Sequence, residues 1–180
     1  MKLIILDRDG VINFDSPNYI KSPEEWLPIP GSLEAIARLH HAGYCVTVAT
    51  NQSGVGRGLY DIATLEAIHH KMQQAIKILG GRIDTIFYCP HTPQDNCACR
   101  KPKSGLLLQI AQHYQIELNN IPAVGDSLRD IQAAQAVGCK AVLVLTGNGK
   151  EVVAMEPTPS NVEVADDLAA YVNQLLNIKV

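Results

Sequence analysis

Residues 4–12 decide the predicted fold, and they read Ile4-Ile5-Leu6-Asp7-Arg8-Asp9-Gly10-Val11-Ile12. The apolar run is typical of a buried strand, and it ends in two carboxylates. Side chains two residues apart on a strand point to the same side, so Asp7 and Asp9 should face one way and Arg8 the other. Parallel α/β sheets bind their ligands beyond the carboxyl ends of the strands. We therefore expect chemistry at this strand end; the alternative is a solvated polar turn.

The bulk composition narrows the possible classes of protein. The chain has 180 residues, 47% of them hydrophobic, and a formal net charge of −3. A slightly acidic chain is a poor match for a nucleic-acid binder, which works by releasing counterions. No apolar stretch approaches the length that spans a membrane, and charges interrupt the apolar N-terminus too early for a signal peptide. We expect one cytoplasmic domain over residues 1–180, a monomer whose partner is a small molecule rather than nucleic acid or a membrane.

Strand-like and helix-like segments alternate along the rest of the chain. Strands are predicted at residues 44–50, 83–89, 121–126, 141–145 and 162–165, with amphipathic helical patterns between most of them. This alternation predicts an α/β fold, a doubly wound parallel sheet with helices on both faces. Within the helices, Ser32 and Asp61 are predicted N-caps. His69 and His70 are expected on or near a solvated face.

Two connections after strands carry candidate substrate contacts. The first, after the acid pair, is too long and irregular for a simple turn, and it offers Asp15, Asn18 and Tyr19, of which Asn18 is equally well explained as a turn former. The second strand ends in a segment of small polar residues and glycines whose hydroxyl, amides and backbone N–H groups suit an anion. Its candidates are Thr50, Asn51, Gln52 and Ser53.

A cysteine-rich loop follows the third strand. Cys89, His91, Cys97 and Cys99 occur within eleven residues. Three thiolates and one imidazole are the ligands of a closed structural zinc site, although the spacing is unusual and chance clustering is the alternative. Arg100 and Lys101 come directly after the last cysteine and favour phosphate recognition; the alternative is a solvated basic turn.

The predicted topology brings these groups to one edge of the sheet. Asp7 and Asp9, Thr50, Lys101 and Asp126 each follow or lie near a strand end. Carboxylate oxygens favour Mg²⁺, and the cation and Lys101 would hold a phosphoryl group. Asp7 is then the nucleophile that forms an aspartyl phosphate, and Asp9 is the general acid and base.

The Asp7-x-Asp9-Gly10-Val11 motif, Thr50, the Arg100-Lys101-Pro102 run and Gly125-Asp126 resemble the haloacid dehalogenase superfamily phosphatases. The resemblance implies strand order 5-4-1-2-3, no large cap domain and a zinc-binding loop insert. It also implies Mg²⁺ binding by Asp7, the Asp9 backbone carbonyl and Asp126, and a phosphoryl group steadied by Thr50 and Lys101. Arg8 and Arg100 are also predicted to contact the substrate.

Within the superfamily, the chain resembles the branch that dephosphorylates heptose bisphosphates. Histidinol-phosphate phosphatases, which share the short spacing of the cysteine loop and its C-x-C-R-K-P run, are the alternative. A phosphosugar-binding protein without activity is a third possibility, although Asp7, Asp9, Lys101 and Asp126 are all present. Ser127 stands where the family often has Lys, and Arg129 is a candidate substitute.

Overall fold

The computed structural model describes residues 1–155 and 160–178. Its six strands form one sheet in the order β3-β2-β1-β4-β5-β6, and every neighbouring pair is parallel. The predicted doubly wound sheet and its order 5-4-1-2-3 are confirmed, and the sixth strand extends the sheet beside β5. The strands are β1 (Lys2–Leu6), β2 (Tyr44–Asn51), β3 (Thr85–Cys89), β4 (Pro122–Gly125), β5 (Lys140–Val144) and β6 (Glu163–Ala165).

Helices cover both faces of the sheet. They are α1 (Ser32–His41), α2 (Ser53–Gly56), α3 (Ile62–Ile78), α4 (Gly105–Tyr114), α5 (Leu128–Gln135), α6 (Gly149–Val153) and α7 (Leu168–Leu175). Ile4 and Leu6 of β1 belong to a core that also holds side chains of α1, α3 and α7. Leu3 and Ile5 belong to the opposite core, with side chains of α4 and α5. This division follows from the two-residue period of a strand, and it places the central strand between two apolar layers.

The predicted helix starts are partly confirmed. Asp61 caps α3, since its Oδ1 accepts the Thr64 N–H at 2.8 Å. The Ser32 prediction is wrong, because Gly31, with a φ of 82°, occupies the cap position of α1. The Ser32 hydroxyl instead contacts the carbonyl oxygens of Ile12 and Ile29, each at 2.7 Å, and so ties α1 to the preceding connection. The short helices α2 and α6 were not predicted from the sequence.

The connection between β1 and α1 is held against α3. Trp26 in this connection is only 1% exposed. Lys71 of α3 donates to the carbonyl oxygens of Pro23, at 2.5 Å, and Trp26, at 3.2 Å. The segment that follows the acid pair is thus anchored to the body of the protein. Among the described residues, none of the helices has both the length and the apolar character needed to cross a bilayer.

Candidate active site

A cavity of about 390 Å³ opens at the carboxyl ends of β1, β2 and β4. It is lined by residues from several connections, so long-range topology rather than one segment creates it. The predicted site residues on its wall are Asp7, Asp9, Asp15, Tyr19, Thr50, Asn51, Gln52, Ser53, Arg100, Lys101 and Asp126.

Two of the predicted substrate contacts do not lie on this wall. The side chain of Arg8 is 0% exposed and contacts Asp9, Gln52 and His69 inside the protein. The predicted substrate contact of Arg8 is therefore contradicted. Asn18 is exposed and lies outside the cavity wall, which fits its alternative interpretation as a turn former.

Three carboxylates cluster at the floor of the cavity. Asp7, Asp126 and Asp130 each place an oxygen within 4.8 Å of the others. Lys101 lies among them, with its Nζ 2.9 Å from Asp7 Oδ2 and 2.5 Å from Asp130 Oδ1. It also donates to the Ala49 carbonyl at 2.8 Å. All three protons of the Lys101 ammonium therefore have acceptors.

The electrostatics of this cluster leave negative charge only partly compensated. Burial raises the pKa of Asp7 well above its usual value, and Lys101 opposes that effect only in part. Burial also raises the pKa of Asp126 to about 6. Burial alone would raise the pKa of Asp130, but the Lys101 ammonium outweighs it and the pKa is lowered. A single ammonium among three acids leaves room for a further cation.

The side chain of Asp126 is fixed by its neighbours. Its Oδ2 accepts the Asn148 backbone N–H at 2.8 Å and the Asn148 Nδ2 at 2.9 Å. Gly10 has a φ of 77°, and a Cβ atom built there would collide with the Asp126 carboxylate. A Cβ at Gly147 would meet the same carboxylate. Close backbone approach at two glycines thus allows the acid to reach the cavity.

The donor set fits a hard divalent cation. Asp7 and Asp126 supply carboxylate oxygens, the ligand type that Mg²⁺ prefers. Asp130 is the residue of this cluster that the sequence analysis missed. Its Oδ2 accepts from the Ser127 backbone N–H at 3.0 Å and from the Ser127 hydroxyl, forming a capping box at the start of α5. The S-x-x-D pattern predicts this cap, but nothing local predicts the ion pair with Lys101.

The Asp9 carboxylate lies beside the cluster and is surrounded by donors. Arg8 contacts its Oδ1 through Nε at 3.1 Å and through Nη2 at 3.0 Å. Asn13 Nδ2 is 2.8 Å from the same oxygen, and Gln52 Nε2 is 2.8 Å from Oδ2. The Asp9 side chain is 21% exposed, so one side of the carboxylate still faces the cavity.

His69 lies next to this arrangement, and its predicted position on a solvated face is wrong. It is 7% exposed, and its Nε2 is 3.2 Å from Arg8 Nη1. Burial and the Arg8 charge lower the pKa of His69 to about 3. The ring is therefore neutral at physiological pH. Its neighbour His70 is exposed as predicted, because adjacent residues of a helix point in different directions.

The cysteine loop brings its four predicted ligands together. Cys89, His91, Cys97 and Cys99 place their Sγ and Nδ1 atoms within 4.8 Å of one another. Cys89 Sγ is 3.6 Å from Cys97 Sγ and 2.9 Å from Cys99 Sγ. Three sulfurs and one nitrogen in this arrangement fit a tetrahedral zinc ion. The loop ends directly before Arg100 and Lys101, two residues of the cavity wall.

Positive groups and one aromatic ring line the outer part of the cavity. Arg57, Arg100 and Arg129 contribute to the wall. Burial and the neighbouring Arg129 and Arg57 guanidinium groups lower the pKa of Arg100, which indicates that the three charges are close. Arg57 also lies over the Tyr19 ring, 6.0 Å from its centroid. Arg57 was not predicted, since it lies in a glycine-rich segment that was interpreted through its backbone groups.

The fold and the acid cluster correspond to a known class of hydrolase. Residues 98–171 match the family model described as HAD-hydrolase-like. This region contains Lys101, Asp126 and Asp130, the groups that join Asp7 at the floor of the cavity.

Relatives match over nearly the full chain. A D-glycero-beta-D-manno-heptose-1,7-bisphosphate 7-phosphatase of Bordetella bronchiseptica is 57% identical over 176 residues, 98% of either chain. The Pseudomonas aeruginosa protein of the same name is 54% identical over 97% of either chain. The crystal structure of D,D-heptose 1,7-bisphosphate phosphatase from B. bronchiseptica, complexed with magnesium and phosphate, superposes with a TM-score of 0.97 at 56% identity, covering 99% of this chain and 100% of that one. The chain belongs to the D-glycero-beta-D-manno-heptose-1,7-bisphosphate 7-phosphatase family of HAD-like hydrolases.

Proposed function

We propose that this protein is a Mg²⁺-dependent phosphatase that removes the 7-phosphate of D-glycero-D-manno-heptose 1,7-bisphosphate. The observation that carries the proposal is the floor of the cavity, where Asp7 meets Lys101 at 2.9 Å and shares a cluster with Asp126 and Asp130. The identity to the Bordetella bronchiseptica enzyme supports the same substrate. The reaction has two displacements at one phosphorus atom.

In the first displacement, a carboxylate oxygen of Asp7 attacks phosphorus. The bond from phosphorus to the sugar oxygen breaks, its electron pair leaves with that oxygen, and Asp9 supplies the proton. In the second displacement, water attacks the phosphorus of the aspartyl phosphate while Asp9 accepts a proton from it. The bond to Asp7 breaks, inorganic phosphate leaves, and both carboxyl groups return to their starting states.

The magnesium ion would be held by Asp7, the Asp9 backbone carbonyl and Asp126. When bound, it offsets the repulsion between the Asp7 carboxylate and the phosphoryl oxygens. The magnesium complex of the Bordetella bronchiseptica relative supports this choice of cation.

Thr50 and Lys101 have different parts in this scheme. Thr50 Oγ1 lies 3.0 Å from Gln52 Nε2 and accepts from it, so its own proton is free to donate to a phosphoryl oxygen. Lys101 has three acceptors already, including Asp7 and Asp130. We infer that Lys101 first neutralises the acids and shares one proton with the phosphoryl group when substrate enters.

The outer part of the cavity supports a bisphosphate as substrate. Arg57, Arg100 and Arg129 add three positive charges to the cavity wall, and Tyr19, Asn51 and Ser53 offer surfaces for the sugar. A second phosphate would complement these charges, and guanidinium groups bind phosphate in two-point geometry. Histidinol phosphate would instead bring an ammonium group toward them, at an electrostatic cost.

We propose a structural Zn²⁺ held by Cys89, His91, Cys97 and Cys99. The four ligand atoms leave no position for a reactive water, so the ion would stabilise the loop rather than take part in the chemistry. By fixing the loop, it would also fix Arg100 and Lys101. We further infer that the protein acts as a cytoplasmic monomer on a small phosphosugar.

The experiment that tests the substrate is a side-by-side measurement of phosphate release. We expect the kcat/KM for heptose 1,7-bisphosphate to exceed that for histidinol phosphate by at least ~100-fold, since an ammonium group that the arginines repel replaces a phosphate that they attract. Arg129→Gln should raise the KM for the bisphosphate and leave the KM for a monophosphate nearly unchanged. Preference for histidinol phosphate would assign the alternative activity, and binding of the bisphosphate without turnover would indicate an inactive binding protein.

A further inference from the structure

We propose that Arg8, His69, Gln52 and Tyr60 form a buried support that fixes the orientation of the Asp9 carboxyl group for proton transfer. The proposal rests on the proposed function, because it assumes that Asp9 protonates the leaving oxygen. His69 and Tyr60 are absent from the cavity wall, and they act through Arg8 and Gln52. They are therefore positioning residues, and the four are called the Asp9 support below.

Arg8 donates hydrogen bonds to one edge of the Asp9 carboxylate. Its Nε and Nη2 atoms lie 3.0–3.1 Å from the carboxylate oxygens. A guanidinium group contacts a carboxylate through two parallel donors, so it defines the plane of the carboxylate as well as its distance. Because the Arg8 side chain is fully buried, competition from solvent is excluded.

Gln52 connects the other edge of Asp9 to Tyr60. Its Nε2 donates to Asp9 Oδ2 at 2.8 Å and to Thr50 Oγ1 at 3.0 Å. Its Oε1 accepts from Arg8 Nη2 at 3.0 Å and from the Tyr60 hydroxyl at 2.8 Å. Arg8 can only donate, so the amide orientation and the direction of the Tyr60 hydrogen bond are both fixed. The full use of its amide argues against the predicted substrate contact of Gln52.

His69 completes the support behind Arg8. Its Nε2 is the partner of Arg8 Nη1, which otherwise faces the protein interior. Since a guanidinium cannot accept a hydrogen bond, Nε2 must accept and the ring proton must be on Nδ1. His69 therefore holds the guanidinium plane from the side opposite Asp9. Losing this acceptor would leave a buried donor unpaired and allow the Arg8 plane to tilt.

The chemical consequence depends on the leaving group. An alkoxide leaving group needs a proton from a well-aligned acid, whereas p-nitrophenolate is stable enough to leave without one. Misalignment of Asp9 should therefore slow formation of the aspartyl phosphate from a sugar phosphate far more than its formation from p-nitrophenyl phosphate. Breakdown of the aspartyl phosphate is the same step for both substrates, so the comparison uses kcat/KM, which reports the steps up to departure of the leaving group. Simple loss of folded protein would slow both reactions equally.

The test measures kcat/KM of the Mg²⁺-loaded enzyme with both substrates. His69→Leu should lower kcat/KM for heptose 1,7-bisphosphate by about tenfold or more, with kcat/KM for the aryl phosphate changed less than about threefold. His69→Gln, whose side-chain oxygen can accept from Arg8, should recover most of the loss. Tyr60→Phe should show the same selectivity with a smaller loss, because Gln52 keeps its bond to Arg8.

The matched controls are His70→Gln on the exposed side of α3 and Tyr44→Phe at the start of β2, both of which should match the parent enzyme. Equal losses of kcat/KM with both substrates, or no loss of kcat/KM in either His69→Leu or Tyr60→Phe, would overturn the proposal. If the parent enzyme prefers another alkyl phosphate, the substrate assignment fails, and the same comparison with that alkyl phosphate decides the role of the support. If no phosphate ester is hydrolysed, both proposals fail.

Discussion

The part of the chain that the structure describes contains two clusters of potential metal ligands, and they are built in opposite ways. Asp7, Asp126 and Asp130 come from distant parts of the chain, and the sheet brings them together. Cys89, His91, Cys97 and Cys99 lie within eleven consecutive residues, from the last residue of β3 through the loop that follows it. The acid cluster depends on the fold for its geometry, whereas the cysteine loop lacks an extensive core of its own and would depend on a metal. Loss of a ligand should therefore affect chemistry in the first and local order in the second.

The largest expected effect is that of Asp7→Asn in the acid cluster. We expect phosphate release to fall by about a thousandfold or more, because an amide cannot form the aspartyl phosphate. The thermal midpoint should be unchanged or higher, since burial already disfavours the charged form of Asp7. Asp166→Asn, at an exposed position before α7, is the control. Retained turnover in Asp7→Asn would exclude Asp7 as the nucleophile.

The next effect is that of Asp130→Asn, which tests how the fold organises the same cluster. Lys101 would keep its ion pair with Asp7 but lose the shorter ion pair with Asp130, at 2.5 Å. We expect a 10- to 100-fold decrease, as an order of magnitude, in activity or in apparent affinity for Mg²⁺, as is typical of residues that orient metal ligands. Mg²⁺ titration of the rate measures it. A rate and a Mg²⁺ dependence equal to those of the parent enzyme would show that Asp7 alone is sufficient to position Lys101.

Cys97→Ser, or removal of zinc by a chelator, tests the cysteine cluster. We expect KM to rise about tenfold with a smaller change in kcat, because Arg100 and Lys101 follow the loop directly. Hydrogen exchange should increase over residues 89–103 and remain unchanged in β1 and β4. Elemental analysis of metal-replete protein should give one zinc per chain. If protein without zinc still shows slow hydrogen exchange in this loop, the prediction of a closed zinc site is wrong.

The smallest effect concerns the pH dependence of stability at His69. Its pKa is about 3 in the folded protein, below the usual 6.5, so the unfolded chain binds more protons between these values. The contribution of this group to the free energy of unfolding should therefore be largest above pH 6.5 and decrease as the pH falls toward 3. His69→Gln should flatten this slope in denaturant titrations. An unchanged slope would mean that His69 is not held neutral.

The sequence predicted the parts of the site that sit at strand ends. At the end of β1 and in the cysteine loop, the functional residues are close together in the sequence. Their spacing alone therefore predicts what chemistry they can perform. Asp130 and His69 were missed or misplaced because their roles arise from contacts with Lys101 and Arg8, far away in the chain. Arg8 was misjudged for a related reason. In this fold, the Arg8 side chain, which points away from Asp7, enters a polar pocket inside the protein and does not reach solvent.

The packing around Asp126 has a consequence for how freely this protein can vary. The backbones at Gly10 and Gly147 approach its carboxylate so closely that a single methyl group at either position would displace it. Thr146 adds a 2.6 Å hydrogen bond to the Gly10 carbonyl, which leaves the two turns little freedom to separate. A saturation library would accordingly find both glycines among the least replaceable positions, although neither carries a functional group.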